Sequence, residues 1–201
     1  VQESLRKKLT SNIAHELRTP ISAIRGELEG MIDGLIPLDK ENLQSLYAEI
    51  GRLRSILEGI EELSQAEASS LTLRKRLFEL LPFLENIAGR YRRIFQEKGI
   101  GLDLVCERGL MISADPDRLS QILINLLSNA MKALEGGGQV RIEAGSTGSS
   151  VFVRVSDNGA GIKKEDLPFI FERFYRASKG GLGLGLTIVR ELVEAHGGRI
   201  T

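Results

Sequence analysis

The chain has 201 residues, enough to bury a core in one or two domains. Its 27 Lys and Arg balance 27 Asp and Glu, so no net field draws it to nucleic acid or to an acidic membrane surface. One cysteine, Cys106, excludes an intramolecular disulfide and fits a reducing compartment; in the alternating run Leu102, Leu104, Cys106 it is expected to pack inside. There is no signal peptide and no run of about 18 apolar residues, so the chain is expected neither to be secreted nor to span a bilayer by itself. It begins inside a helical pattern, as a fragment of a longer, membrane-anchored protein would.

Residues 1–34 read as one helix, with apolar positions Leu5, Leu9, Ile13, Leu17, Ile21 or Ile24, Leu28 and Met31 or Ile32. At about 100° per residue, His15 lies roughly 200° from both Ile13 and Leu17, on the side opposite this stripe. Thr19 shares its face and Glu16 is its neighbour. Pro20 cannot donate to the carbonyl of Glu16 and crowds that turn, so a bend is expected there. An exposed imidazole, a carboxylate and a hydroxyl beside a bend make a candidate site for chemistry on histidine.

A turn at Gly34 to Pro37 ends this helix. A second begins near Asp39, with Glu41 and Asn42 supporting its cap, and places Leu43, Leu46, Ile50, Leu53, Leu57 and Ile60 at alternating steps of three and four. That is a heptad seam. One antiparallel hairpin cannot close its own core, so two are expected to pair into a dimeric four-helix bundle. The heptad fades at Ser64, and the small, polar run from Ala66 to Ser70 marks a boundary near residues 66–72, dividing the chain into domains of residues 1–67 and 68–201.

Beyond it the pattern is mixed. A helix is expected within residues 78–98, strands at 102–106 and 110–113, and a helix over 115–134 started by Asp115-Pro116. Two strands at 139–144 and 151–156 follow, then a helical stretch around 169–177, a glycine run, and a helix over 185–195. Strands and helices interleave without regular βαβ repetition, which predicts an α+β sandwich.

Asn125, Asn129 and Lys132 share one helical face. Asparagine is a modest helix former; a neutral amide oxygen can ligate Mg²⁺, and a lysine one turn on can meet phosphate, although a polar solvent face has the same pattern. Asp157-Asn158-Gly159-Ala160-Gly161 places a carboxylate at a strand end beside two glycines, suited to a planar base or to an ordinary turn. Gly181, Gly183 and Gly185 alternate before a helix whose free N–H groups favour phosphate. They match neither the P-loop nor the dinucleotide fingerprint. Arg173 and Arg176 stand among the aromatics Phe171, Phe174 and Tyr175, and His196 before Gly197-Gly198 is expected to end a helix.

Singly these motifs are weak; their order is specific. Residues 15–20 (His-Glu-Leu-Arg-Thr-Pro), 125–132, 157–161, 171–176 and 181–186 follow the sequence of boxes found in sensor histidine kinases. The chain resembles their catalytic core over nearly its full length: a dimerisation and histidine-phosphotransfer hairpin, then an ATP-binding domain of the Hsp90, gyrase and MutL type. The resemblance implies a protein histidine kinase that autophosphorylates on His15 with ATP and Mg²⁺. Glu16 would hold the other ring nitrogen or take its proton, and Thr19 would serve a phosphatase reaction. Asp157 would accept from adenine, with Gly159 and Gly161 at the wall; Asn129 would ligate Mg²⁺. Asn125, Lys132 and Arg173 or Arg176 would meet phosphates, and Gly181, Gly183 and Gly185 would line the triphosphate.

The implied partners are a second copy through residues 1–67 and the receiver domain of a response regulator, with no nucleic acid and no membrane contact. The implied location is the cytoplasmic side of a membrane-anchored sensor. Two departures stand out: the segment between Tyr175 and the glycines is short for the family's ATP lid, and the strands that normally follow the His-Gly-Gly turn are absent, a C-terminal truncation. Rival readings are an ATP-gated module with the bundle as a scaffold, for which the exposed His15 motif has no use, and an anti-sigma-type serine/threonine kinase, which the heptad hairpin opposes.

Overall fold

A computed structural model describes residues 2–69, 73–134, 136–175 and 183–201, with side chains from residue 13 onward except at 62 and 66–69. Its first unit is a hairpin of two long helices, α1 (Gln2–Ile32) and α2 (Lys40–Ser69). Gly34, at φ 71°, takes the left-handed conformation that ends a helix cheaply, and the Leu35 and Ile36 N–H groups both donate to the Gly30 carbonyl. Asp39 caps α2, its Oδ1 accepting from the Asn42 N–H at 2.9 Å. Leu46 and Ile56 of α2 are buried, and Ser45 Oγ donates to Glu27 Oε1 across the hairpin at 3.2 Å.

The second unit runs β1 (Arg76–Glu79), α3 (Leu80–Glu97), β2 (Ile100–Cys106), β3 (Met111–Ala114), α4 (Pro116–Ala133), β4 (Gly138–Thr147), β5 (Ser150–Asp157) and α5 (Gly185–Ala195). β1 and β3 pair antiparallel, with Leu77 opposite Ser113. β2, β4 and β5 form a mixed sheet in that order: β2 lies parallel to β4, with Leu102 opposite Val140, and β5 lies antiparallel to it, with Val155 opposite Ile142. Period-two alternation turns Val140, Ile142 and Ala144 into the core. Helical spacing does the same for Leu80, Leu84 and Ile87 of α3, for Leu119, Leu123 and Leu127 of α4, and for Ile188 and Leu192 of α5. The result is the hairpin followed by an α/β sandwich, as expected from the pattern.

Three features differ from the sequence reading. β1 was not anticipated: it is four residues long, mostly exposed, and is held by pairing with β3, which leaves little apolar periodicity to read. The helix expected around residues 169–177 is not found among its described residues, 169–175. That stretch is a series of tight turns, with Phe169 N–H on Asp166 O and Glu172 N–H on Phe169 O, and Phe174 at φ 64° is incompatible with a continuing helix. Finally, the end of α2 packs on α5, and Leu63, 3% exposed, shares a buried cluster with Ile188 and Leu192. The stalk and the sandwich therefore share a core.

Candidate functional site

On α1, Ile13 and Leu17 are half-buried while Ala14, His15, Arg18 and Thr19 are exposed, so the imidazole faces away from the apolar stripe. Helical spacing alone places it there. Thr19 Oγ1 donates to the His15 carbonyl at 3.3 Å, one turn back along the same face. Glu16 is half-buried beside it. The helix continues through Pro20, which is itself buried.

Three of the motifs, Asn125/Asn129, the Asp157–Gly159 turn and Gly185, spread over about 60 residues of sequence, meet along one line of α4. Asn125, Asn129 and Ala133 follow at steps of four, the asparagines half-buried and Lys132 exposed at the helix end. Gly185, the first residue of α5, lies against the upper part of this line: a Cβ there would sit 3.3 Å from Asn125 Oδ1 and 3.9 Å from Asn129 Nδ2. Gly159 lies against the lower end, where a Cβ would come within 2.5 Å of the Ala133 carbonyl oxygen. Gly159 N–H donates to Asp157 Oδ1 at 2.9 Å, so the same close approach sets the orientation of the exposed carboxylate. Asn158 is structural: its Oδ1 accepts from the Gln139 N–H at 2.7 Å and ties the turn to β4. Gly161 takes φ 70°.

Arg173 forms an ion pair with Glu191 of α5 at 3.2 Å, both side chains about three-quarters buried. Arg176 and Gly181 lie outside the described residues. The Phe174 N–H donates to the Gly183 carbonyl at 3.0 Å, and a side chain at Gly183 would collide with the Tyr175 carbonyl oxygen. Tyr175 OH donates to Asp166 Oδ1 at 2.6 Å; that bond, then burial, pushes the phenol up. Thr187, fully buried, donates from Oγ1 to the Phe171 carbonyl at 3.1 Å and fastens the aromatic segment to α5. Thr187, Asp166 and Glu191 were missed by sequence reading. Thr187 alone left a trace, a hydroxyl two residues into an otherwise apolar helix start.

Among the described residues no group of three or more His, Cys, Asp or Glu side chains could hold a metal ion. The donors present are the neutral amides of Asn125 and Asn129. They fit Mg²⁺, which keeps water and substrate phosphates as most of its ligands and needs only one or two from protein.

Residues 5–69 match the His Kinase A (phospho-acceptor) domain family, and residues 114–201 match the histidine kinase-, DNA gyrase B- and HSP90-like ATPase family. The signal transduction histidine-protein kinase BaeS of Escherichia coli (strain K12) is 36% identical over 98% of this chain and 44% of its own length. The sensor protein SrrB of Staphylococcus aureus is 30% identical over 98% of this chain and 36% of its own. The chain thus spans less than half the length of these curated relatives. Among solved structures, the Acinetobacter baumannii histidine kinase AdeS has a TM-score of 0.70 at 28% identity, covering 90% of this chain and 86% of its own. Histidine kinase ThkA, solved in complex with the response regulator protein TrrA, has a TM-score of 0.78 at 27% identity, covering 98% and 57%. With a phospho-acceptor hairpin joined to a gyrase- and HSP90-like ATPase domain, the chain belongs to the two-component sensor histidine kinases and corresponds to their catalytic core.

Proposed function

We propose that this chain transfers the γ-phosphoryl group of ATP to His15 and passes it on to an aspartate of a response regulator. The observation that carries the reading is the convergence of Asn125, Asn129, Gly185 and the Asp157–Gly159 turn on one flank of α4, in a chain that also holds His15 exposed on α1. Asp157 accepts from the adenine amino group, with Gly159 and Gly161 at the wall of the pocket. Asn125, Lys132 and Arg176 meet phosphates, with Gly181, Gly183 and Gly185 lining the triphosphate. Arg173 reaches a phosphate only by leaving Glu191. Asn129 holds Mg²⁺, which when bound neutralises charge on the phosphates.

A ring nitrogen of neutral His15 attacks the γ-phosphorus, and the bond to the bridging oxygen breaks to release ADP. Glu16 accepts the proton from the other ring nitrogen as charge develops. The phosphoryl group then moves from nitrogen to a receiver-domain carboxylate. Thr19 orients a water that attacks the receiver's phosphoaspartate, releasing the carboxylate and inorganic phosphate, and Pro20 lets the stalk switch between the kinase and phosphatase geometries.

The domains are residues 1–67 and 68–201. The hairpin dimerises, because the heptad residues Leu43, Ile50 and Leu57 remain 49%, 52% and 49% exposed in the single chain, in company with Ile21 and Leu28 of α1. A seven-residue repeat of half-exposed aliphatic side chains is the seam a second hairpin covers. Among the described residues no helix is long and apolar enough to cross a membrane. The parent protein is nonetheless a membrane-anchored sensor, with this portion on the cytoplasmic side.

Incubation with γ-labelled ATP and Mg²⁺ tests the reading. Label stable to base and lost in acid should appear, and be absent from His15→Ala and Asn129→Ala. Persistent label on His15→Ala would refute the assignment.

A further inference from the structure

His196 lies outside the proposed catalytic machinery, yet its ring and carbonyl join three separate elements. Its Nδ1–H donates to the Leu192 carbonyl at 2.7 Å, and its Nε2 accepts from the Asp115 N–H at 3.0 Å. A backbone N–H can only donate, so Nε2 must be bare and the proton must sit on Nδ1: the ring is neutral and of one tautomer. The His196 carbonyl accepts from Lys75 Nζ at 3.0 Å. Asp115 Oδ2 accepts from the Arg74 N–H at 2.9 Å, while its Oδ1 accepts from the Asp117 and Arg118 N–H groups at the start of α4. Gly197, at φ 81°, closes α5 behind the ring, with the Gly198 N–H on the Val193 carbonyl.

Arg74 and Lys75 lie directly before β1. The far end of α2 rests on α5, where Leu63 is buried with Leu192. α5 is therefore joined on its side by α2, and at its end by Arg74 and Lys75, with His196 and Asp115 between. The charged groups on the elements meeting here are Arg74 and Lys75 before β1 with Arg76 at its start, Asp115, Asp117 and Arg118 at the start of α4, and Glu194 and Arg199 beside the ring in sequence.

We propose that His196 is a positioning residue for phosphotransfer: its neutral ring latches the start of α4 and the Arg74–Lys75 stretch before β1 to the end of α5, and a proton taken from solvent onto Nε2 opens the latch. With Nε2 protonated, the Asp115 N–H faces another N–H and its bond is lost; Asp115 then holds Arg74 less firmly, and the stalk is presented to the nucleotide less uniformly. The effect on phosphotransfer rests on the kinase reading above; the latch itself does not.

The chain has two histidines, so a His15→Gln variant leaves His196 alone for ring ¹⁵N NMR. At mildly alkaline pH the spectrum should show a proton on Nδ1 and a bare Nε2. On acidification, ring protonation and faster hydrogen exchange at the Asp115 and Arg74 amides should follow one titration curve. A proton on Nε2 in the neutral ring, or a ring that titrates while both amides keep their protection, overturns the latch. In the otherwise unaltered chain, His196→Phe keeps the ring's bulk and loses both bonds, whereas His196→Gln can donate and accept. Both should keep their nucleotide affinity within about twofold. His15 phosphorylation should slow about tenfold in His196→Phe, the order of effect expected when part-buried hydrogen bonds are lost, and recover in His196→Gln. Equal turnover in the two variants, or loss of nucleotide affinity in step with turnover, overturns the positioning role. If no variant, nor the parent chain, labels at His15, the kinase reading fails while the NMR result still decides the latch.

Discussion

Gly159→Ala tests the geometry of the proposed adenine site with one methyl group. Its Cβ would lie 2.5 Å from the Ala133 carbonyl oxygen and 2.9 Å from both the Ala133 carbonyl carbon and Cβ, where ordinary contact begins near 3.4 Å. Two of these atoms are helix backbone and the third is fixed to it, so none can swing aside. The turn must back away from α4 by about 1 Å, the difference between the ordinary distance and the closest contact, at a cost of about 1–3 kcal/mol for overpacking. Because Gly159 N–H bonds Asp157 Oδ1, the displacement carries the carboxylate with it. Loss of one charge-assisted hydrogen bond to the base weakens ATP binding by about tenfold or more. Titration with a fluorescent ATP analogue, alongside thermal melting, reads both consequences. Gly148→Ala, in the turn between β4 and β5 and away from the site, is the control, since nothing lies within 4 Å of its Cβ and only its φ of +61° is penalised. Gly159→Ala binding ATP as tightly as the parent, with an unchanged melting temperature, would refute the argument.

Burial raises the Asp115 carboxyl, but backbone N–H groups of Arg74, Arg118 and Asp117, with the Arg118 charge, outweigh it and hold it below its ordinary value. A depressed folded-state value contributes stability above the ordinary carboxylate range and loses it as pH falls through the lowered value. Asp115→Ala should therefore cost about 1–2 kcal/mol at neutral pH, as a lost helix cap does, and the gap in urea midpoints between variant and parent should close in acid; a gap indifferent to pH counts against this origin. Ile50→Glu and Leu57→Glu each place a carboxylate in the proposed dimer seam and forfeit about 1–2 kcal/mol of burial per copy. Sedimentation should show monomers, and an unchanged dimer mass would move the interface elsewhere. Thr187→Val leaves the Phe171 carbonyl without its buried donor, at about 1 kcal/mol. Thr187→Ser should retain most of that stability, and identical melts for the two variants would show the bond to be immaterial.

Much of the molecule was legible because helices and caps act over a few residues. The side of α1 that carries His15 follows from its angle to Ile13 and Leu17, and the cap on α2 follows from Asp39 standing three residues before Asn42. The asparagine face of α4 and the strand pair ending at Asp157 are legible for the same reason. Residues 169–175 misled because aromatic and charged side chains at helical spacing also suit a chain of tight turns, and only the neighbouring α5, through Thr187 and Glu191, selects the turns.

Sequence by itself thus determined the periodic elements, the exposure of His15 and the chemistry each motif offers, since these depend on spacing within one element. Tertiary structure alone decided that Gly185 and Gly159 abut the same line of α4, that Arg173 faces Glu191, that Leu63 of the stalk enters the core of the sandwich, and that His196 meets Asp115. Those partners stand 18 or more residues apart in the chain, and His196 and Asp115 81. Which of them touch is settled by how apolar faces close into one packed interior, and no local preference encodes that choice.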